Sequence, residues 1–344
     1  MATGCGDKKK GGSCLFKSEN FVNWTAVGWL DQPQGPQNPS FWECPDFFEV
    51  PGTGKYVSKG SCGGDWWSVG DYTEVAGMKA DTFAATSYAV HGGSTAGLGL
   101  QKYDFGQFYA SKSFYDPAKK RQILWGWVAE EGRAPHAGED WSSIQSLPRS
   151  IVIDPTNGTR LMFPPIEELE GLRGTAINVP ATAVKAGATV DVSKLVPAST
   201  GNQLDIVLTI TGDFTKDGTA AGVSVLNDAT GKGNVVFIAS NVAAKNPEGI
   251  NLLTLNNAGH QGQSVIGPSS SAVTLRVIVD RSAVEAYSAG GRGVATKRTY
   301  PTADMRGVSF VNTGKNDVSI TATIYPMATA QPPAMDELLI GHSK

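Results

Sequence analysis

The sequence predicts an all-β protein: an incomplete β-propeller followed by a C-terminal β-sandwich. The 344 residues include 41 glycines and 19 prolines spread along the chain, which is typical of many short strands joined by turns. All eight tryptophans lie before residue 165, whereas beyond residue 173 valine, isoleucine, threonine and alanine dominate and apolar residues alternate with polar ones. The change in composition predicts two different β architectures.

Residues 1–165 consist of short aromatic-rich segments separated by glycine, proline and aspartate turns. Four-stranded units of about 40–50 residues are the blades of a propeller, and 165 residues hold only about three of them. Because a propeller needs at least about four blades, we expect this region to be incomplete on its N-terminal side. The predicted strands lie at 15–18, 22–24, 42–48, 56–58, 65–70, 108–111 and 122–128.

Residues 150–173 are predicted to lead from one architecture to the other. Strands at 151–153 and 160–163 form a hairpin whose turn contains Asn157-Gly158, since this dipeptide accepts the positive φ of a tight turn. Residues 166–173 are then a linker, with a short helix or a single helical turn.

Residues 174–330 are predicted to form the sandwich. Alternation with a period of two indicates strands that are buried on one face, hence two sheets packed face to face. Residues 331–344 are a tail. The residues that share a buried face within a strand are Ile206, Leu208 and Ile210, then Val273, Leu275, Val277 and Val279, then Val318, Ile320, Ala322 and Ile324.

The composition gives no reason to expect that the protein binds nucleic acid, a membrane, a metal ion or a cofactor. A net charge of -3 and a charged fraction of 18% do not favour nucleic acid or an anionic membrane. No apolar run approaches the roughly 18 residues of a membrane-spanning helix. The four histidines are scattered and there is no close CxxC pair, so we expect neither a metal site nor a cofactor.

The cysteines do not decide the cellular compartment. All four (Cys5, Cys14, Cys44 and Cys62) lie in the first 62 residues, which is not the density of a disulfide scaffold. No signal peptide is visible at the start of the sequence. Asn23 and Asn157 each begin an N-glycosylation tripeptide, which matters only in a secretory protein.

The stretch from Phe41 to Phe48 predicts a catalytic carboxylic acid. Glu43 stands among aromatic residues, and surroundings of low polarity disfavour a charged carboxylate, as a general acid requires. A second carboxylate, Asp46, follows three residues later. The alternative is an edge strand whose glutamate simply points to water.

Several segments together resemble glycoside hydrolase family 32, the invertases (β-fructofuranosidases), fructan exohydrolases, inulinases and related fructosyltransferases. Residues 42–47 resemble the WECPDF signature of this family, and residues 103–116 resemble its YDYGKFYASKTFYD stretch. Further similar segments are 125–128, 140–149, 164–170, 280–285 and 297–301. The resemblance covers nearly the whole chain.

The resemblance implies a five-bladed propeller followed by a sandwich, and retaining hydrolysis of terminal β-fructofuranosides such as sucrose or fructan. Glu43 is then the acid/base, and Trp42, Cys44, Asp104 and Tyr109 bind substrate. Proline at position 45 is the form typical of plant cell-wall enzymes, and the family implies a secreted, cell-wall or vacuolar protein. Asp104 and Tyr109 could instead be an ordinary turn aspartate and an ordinary blade tyrosine.

The sequence departs from the family pattern in two places. No NDPNG-type segment with the nucleophilic aspartate and no RDP segment occurs, so we expect a fragment of a longer enzyme that lacks its N-terminal blades. Residues 60–64 replace the charged segment that plant members carry there, so substrate preference cannot be inherited from those enzymes. Trp66 and Trp67, which follow, could stack on sugar or belong to the core, and the core is favoured.

Three functions remain open at this point. The first is a glycosidase whose polypeptide, in the form given, releases no fructose because the nucleophile is missing. The second is a catalytically inert carbohydrate-binding protein, and the third is a fructosyltransferase.

Overall fold

The computed structural model describes residues 1–6, 11–32, 41–86, 101–130, 136, 138, 140–197, 199–233, 235–241, 250–255, 263–267 and 271–330. This part of the chain is nearly all β, which confirms the predicted fold class. Two 3-10 turns, Glu167–Leu172 and Ser193–Leu195, are its helical segments, and neither has the length or hydropathy to cross a membrane. The predicted tail at 331–344 lies outside the described residues.

The N-terminal region contains three antiparallel sheets in its described part. The first has the order β1-β2-β3, the second β4-β5-β6-β7 with β8 beside β6, and the third β11-β10-β12-β13 with β9 beside β10. The count of five blades stays a prediction. The strands are β1 Ala2–Gly6, β2 Gly11–Lys17, β3 Thr25–Asp31, β4 Glu43–Glu49, β5 Tyr56–Ser61, β6 Asp65–Thr73, β7 Thr82–Ala85, β8 Gln101–Lys102, β9 Tyr109–Asp116, β10 Arg121–Val128, β11 Ile144–Gln145, β12 Arg149–Asp154 and β13 Asn157–Met162.

One local prediction in this region was wrong, and a second, the hairpin of β12 and β13, is confirmed with its turn at a different position. The strand expected at 22–24 begins instead at Thr25, because Asn20 accepts backbone hydrogen bonds from Val22 and Asn23 and holds them in a turn. The hairpin between β12 and β13 turns at 155–156 and not at Asn157-Gly158. Asp154 accepts the N–H of Thr156 there, so an aspartate-proline turn takes the place of the asparagine-glycine turn.

The C-terminal region is a sandwich of two six-stranded sheets, β14-β25-β16-β21-β22-β23 and β15-β24-β17-β18-β19-β20, in the described part of the chain. The alternating residues predicted to share buried faces are buried between the sheets, which confirms those predictions. The strands are β14 Ile177–Val184, β15 Thr189–Asp191, β16 Gln203–Thr211, β17 Thr219–Asn227, β18 Val235–Asn241, β19 Ile250–Leu255, β20 Gln263–Gly267, β21 Ala272–Asp280, β22 Ala283–Ser288, β23 Gly293–Arg298, β24 Gly307–Asn312 and β25 Val318–Pro326.

The outer face of β21, β22 and β23 packs against the N-terminal sheets. Ile278, Tyr287 and Val294 join Trp67 and Leu124 in one apolar cluster, which gives the two regions a shared core. Gly106 lies so close to β23 that an added Cβ would be 1.9 Å from the carbonyl oxygen of residue 296. The two backbones are therefore in direct contact.

Buried charges cross the same interface. Arg149 of β12 is fully buried and pairs with Asp104 at 2.9 Å and with Glu285 at 2.6 Å. Arg298 pairs with Glu130 at 3.0 Å, again with both side chains buried. Glu285 of β22 is therefore a buried structural charge in this interface.

A disulfide joins Cys5 in β1 to Cys14 in β2, with the Cα atoms 5.9 Å apart. Cys44 and Cys62 are free thiols and partly buried. The sequence left the state of the four cysteines open. The disulfide lies in the first sheet, whereas Cys44 lies in β4 and Cys62 directly follows β5 of the second sheet.

Candidate active site

Glu43 and Tyr109 form a direct hydrogen bond between neighbouring sheets. Glu43 is the first residue of β4 and is exposed, and Tyr109 is the first residue of β9. The Tyr109 hydroxyl donates to Oε2 of Glu43 over 2.6 Å. Burial and this hydrogen bond raise the pKa of Tyr109 well above its usual range, so the phenol stays protonated and remains a donor.

Both strands carry a bulge directly after these residues. On β4 the pairing shifts between Glu43, which faces Ser61, and Asp46, which faces Lys59. A similar shift occurs on β9, next to Tyr109. The residues that follow, Cys44 and Ala110, have positive φ values of 45° and 49°, which are uncommon outside glycine. Bulges and strained backbone of this kind are frequent at functional sites, where they re-aim a side chain.

The bulge on β4 places Asp46 on the same face of the sheet as Glu43. Asp46 is nonetheless held by β9: its Oδ2 accepts the N–H and the hydroxyl of Ser113 at 2.8 and 2.6 Å. Oδ1 accepts Lys112 Nζ at 3.2 Å. Since both oxygens are used by the protein, Asp46 serves to attach β4 to β9.

Lys59 and Asp65 form a buried ion pair under the site, with 3.5 Å between Nζ and Oδ2 and no exposed side-chain surface on either residue. Sequence reasoning missed this pair. A lysine in a strand is most often exposed, and the one available signal was its position on the same face as Ser61, two residues away.

The aromatic residues around Glu43 are arranged differently from the prediction. Trp42 is 1% exposed and packs against Trp66, and an added Cβ at Gly60 would clash with the Trp42 indole. Phe41 is exposed. The aromatic neighbours therefore support the strand from below and do not enclose the Glu43 carboxyl group, which faces water.

The other predicted substrate-binding residues fall into two groups. Cys44 is partly buried beside Glu43, and its carbonyl oxygen accepts Lys59 Nζ at 3.0 Å. Asp104 is buried in the interface with the sandwich, where it accepts the N–H and hydroxyl of Thr296 at 2.9 and 2.7 Å. With Arg149 also at 2.9 Å, Asp104 holds the two regions together and is not exposed to sugar, contrary to the expectation for this residue.

The remaining residues that the sequence singled out are two tryptophans and two candidate glycosylation sites. Trp67 is buried in the core, as favoured above, and Trp66 is half-buried with the ammonium group of Lys102 4.7 Å from the centre of its ring. Asn23 and Asn157 are both exposed. No group of three or more histidine, cysteine, aspartate or glutamate side chains that could hold a metal ion occurs among the residues for which the structure is described.

Two family models match this chain. Residues 1–165 match the N-terminal domain of the glycosyl hydrolases family 32, and residues 168–326 match the C-terminal domain of that family. The chain belongs to glycosyl hydrolase family 32.

Curated relatives in family 32 agree with this assignment. A fructan 6-exohydrolase of Beta vulgaris is 30% identical over 91% of this chain and 58% of its own length. An insoluble isoenzyme of β-fructofuranosidase from Arabidopsis thaliana is 30% identical over 94% of this chain and 63% of its own. The chain thus spans about three fifths of these relatives.

Solved structures of family 32 share the fold. Fructan 1-exohydrolase IIa from Cichorium intybus superposes with a TM-score of 0.77 at 24% identity, covering 95% of this chain and 69% of that one. At this identity the likeness concerns the fold.

Proposed function

We propose that this protein is a family 32 glycosidase that cleaves terminal β-fructofuranosides, such as sucrose or a small fructan, with Glu43 as the general acid/base. The observation that carries the proposal is the exposed Glu43 carboxyl group, fixed at a bulge by the hydroxyl of Tyr109 over 2.6 Å. The names of the two relatives support the substrate class, since one is a fructan exohydrolase and the other a β-fructofuranosidase. No cofactor takes part in this chemistry.

The proposed reaction follows the retaining route. A nucleophilic carboxylate attacks the anomeric carbon of the fructosyl unit, while protonated Glu43 gives its proton to the glycosidic oxygen of the leaving sugar. Glu43 then removes a proton from water, which attacks the same carbon and releases fructose and the nucleophile. Tyr109 orients the carboxyl group through both steps, and Trp42 and Cys44 shape the strand beside it.

The proposal assigns no nucleophile among the described residues. Retaining glycosidases need two carboxyl groups about 5–5.5 Å apart, and Asp46 is occupied by Ser113 and Lys112. The occupation of Asp46 favours a second candidate, a family member that binds fructosyl oligosaccharides without cleaving them. A fructosyltransferase would follow the first scheme with a sugar in place of water.

Two kinds of substrate test the role of Glu43 in the protein as its gene encodes it. On sucrose, Glu43→Gln is expected to lower kcat at least about 100-fold, the scale of general acid catalysis. On an aryl fructofuranoside, whose leaving group needs no proton, the first step survives, and added azide forms fructosyl azide. Asp71→Asn, an exposed change in the same sheet, leaves both rates unchanged.

Retained sucrose hydrolysis in Glu43→Gln would contradict the assignment. Tight binding of 1-kestose in a calorimeter with no product from any substrate would select the inert binding protein. Transfer of fructose to added sucrose in preference to water would select the transferase.

We further propose the domain boundaries 1–165 and 174–330, with 166–173 as the linker, and a secreted, cell-wall or vacuolar location. The Cys5–Cys14 disulfide supports an oxidising compartment, since such bonds persist there. The exposure of Asn23 and Asn157 leaves both accessible to glycosylation. Mass spectrometry of the secreted protein before and after deglycosylation tests whether the Cys5–Cys14 disulfide forms and whether Asn23 and Asn157 are glycosylated.

A further inference from the structure

The ammonium group of Lys59 has an unusual position for a lysine. The side chain has no exposed surface, and lysine is almost never fully buried unless it is paired. Its Nζ donates to the carbonyl oxygen of Cys44 at 3.0 Å, to that of Ser111 at 2.7 Å and to the hydroxyl of Ser61 at 2.8 Å. An ammonium group has three N–H donors, so all of them are used.

The two backbone acceptors lie beside the two residues of the candidate site. Cys44 follows Glu43 directly in β4, and Ser111 lies two residues after Tyr109 in β9. Lys59 belongs to β5, the strand that pairs with β4. Its side chain therefore joins the strand of the carboxyl group to the strand of the hydroxyl group from underneath.

Asp65 completes the connection. Its Oδ2 accepts the backbone N–H of Ser111 at 2.7 Å and lies 3.5 Å from Lys59 Nζ. Ser111 is thus held through both its N–H and its carbonyl oxygen. The position of β9 at this point depends on a lysine and an aspartate from the neighbouring sheet.

A buried charge of this kind is costly for stability alone. Burial lowers the pKa of Lys59 against the opposing attraction of Asp65, because the interior disfavours the ammonium form. Apolar residues of similar volume often replace buried ion pairs without loss of stability. The contacts of Lys59 with backbone oxygens on both sides of the site point to a geometric role.

We propose that Lys59, together with Asp65, is a positioning residue that sets the separation of β4 and β9 at which Tyr109 hydrogen-bonds to Glu43. An O–H···O hydrogen bond requires about 2.5–3.0 Å between oxygens. Loss of the bridge lets the two strands separate, so the Tyr109 hydroxyl no longer reaches the carboxylate. The consequence for catalysis, though not the geometric statement itself, rests on the proposed function.

Tyrosine NMR tests the geometry without any need for activity. The protein is labelled with ¹³C at Cζ of its nine tyrosines, and Tyr109→Phe assigns the signal of Tyr109. In the wild-type protein this signal is expected to stay constant up to about pH 11, because burial and Glu43 raise the pKa of Tyr109. In Lys59→Met it is expected to titrate at a lower pH than in the wild-type protein, because the Tyr109 hydroxyl no longer donates to Glu43.

Two further variants make the comparison decisive. Lys59→Met leaves Asp65 as a lone buried charge, so Lys59→Met/Asp65→Asn removes both charges and keeps the volume; it is expected to give the same shifted titration. Lys55→Met is the matched control, the same substitution at a half-buried lysine next to β5, and it leaves the Tyr109 signal unchanged. An unmoved Tyr109 titration in the folded double variant overturns the proposal.

Activity gives an independent readout. Lys59→Met is expected to lower kcat for sucrose about 10-fold with KM unchanged, the result of weakening an interaction that matters in the transition state alone. An equal rise in KM with kcat intact would mean that Lys59 affects binding and not positioning, and would contradict the proposal. If the wild-type protein cleaves no fructoside, the proposed function fails, whereas the NMR comparison still decides the role of Lys59.

Discussion

Arg149 of β12 and Glu285 of β22 are joined over 2.6 Å although 136 residues separate them, and both side chains are buried. Arg149 also pairs with Asp104 at 2.9 Å. One guanidinium group thus pairs with two carboxylates at the interface between the N-terminal sheets and the sandwich. The two regions are joined by a charged centre and not by apolar packing alone.

The Arg149→Met substitution is expected to destabilise the protein by about 3–5 kcal/mol, because it leaves Asp104 and Glu285 buried without their shared cation. Urea unfolding followed by tryptophan fluorescence measures the loss. Lys185→Met is the control, since Lys185 and Asp317 form an exposed pair whose contribution is at most about 1 kcal/mol. Equal effects of the two substitutions would contradict the structural importance of Arg149.

The ion pair between Asp154 and Arg292 predicts that the protein loses stability in acid. Although burial raises the pKa of Asp154, its hydrogen bonds with Arg292 and Thr156 prevail and hold it at about 2, below the value of about 3.9 in an unfolded chain. The resulting stabilisation is present above about pH 4 and disappears as the pH falls towards 2.

The difference in unfolding free energy between wild type and Asp154→Asn measures this contribution. It is expected to be larger at about pH 6 than at about pH 3, because the carboxylate is stabilised in the folded state alone. In an Arg292→Met background the pH dependence of the difference should largely vanish. A difference that grows on acidification would mean that the pKa is shifted the other way.

Tyr109→Phe is expected to lower kcat on sucrose about 10- to 100-fold, since a hydrogen bond to a charged group contributes about 1.5–3 kcal/mol. The ring remains and only the hydroxyl is lost, so KM should change little. The same substitution at Tyr115, an exposed tyrosine of the same strand, serves as the matched control. Unchanged kcat in Tyr109→Phe would show that the contact with Glu43 has no part in turnover.

Opening the Cys5–Cys14 disulfide is expected to destabilise the first sheet. The bond closes a loop with a sequence separation of 9, for which chain entropy gives about 2.5 kcal/mol. Urea unfolding with and without dithiothreitol measures this, and the Cys5→Ser/Cys14→Ser variant should be insensitive to the reductant. A reductant effect that persists in this variant would trace the loss to some other group.

Much of the fold could be predicted from local patterns, and the interfaces could not. Alternation at Ile206, Leu208 and Ile210 requires no knowledge of partners, because a strand with one apolar face must bury it. The burial of Asp104 depends on Thr296, 192 residues away, and no local pattern reports such a pairing. The resemblance identified both partners of the Glu43–Tyr109 pair, but their direct contact emerged only from the packing of two sheets.

The register shift on β4 has a consequence for insertions and deletions. Along a regular strand, residues three apart face opposite sides, yet the extra residue lets Glu43 and Asp46 oppose Ser61 and Lys59 on one side. Removing a single residue at position 44 or 45 while Asp46 stays attached to β9 would turn Glu43 to the far side of the sheet, away from Tyr109. Chain length between the two carboxylates is therefore constrained as strictly as their identity, and a one-residue deletion there should silence the site in a protein that still folds.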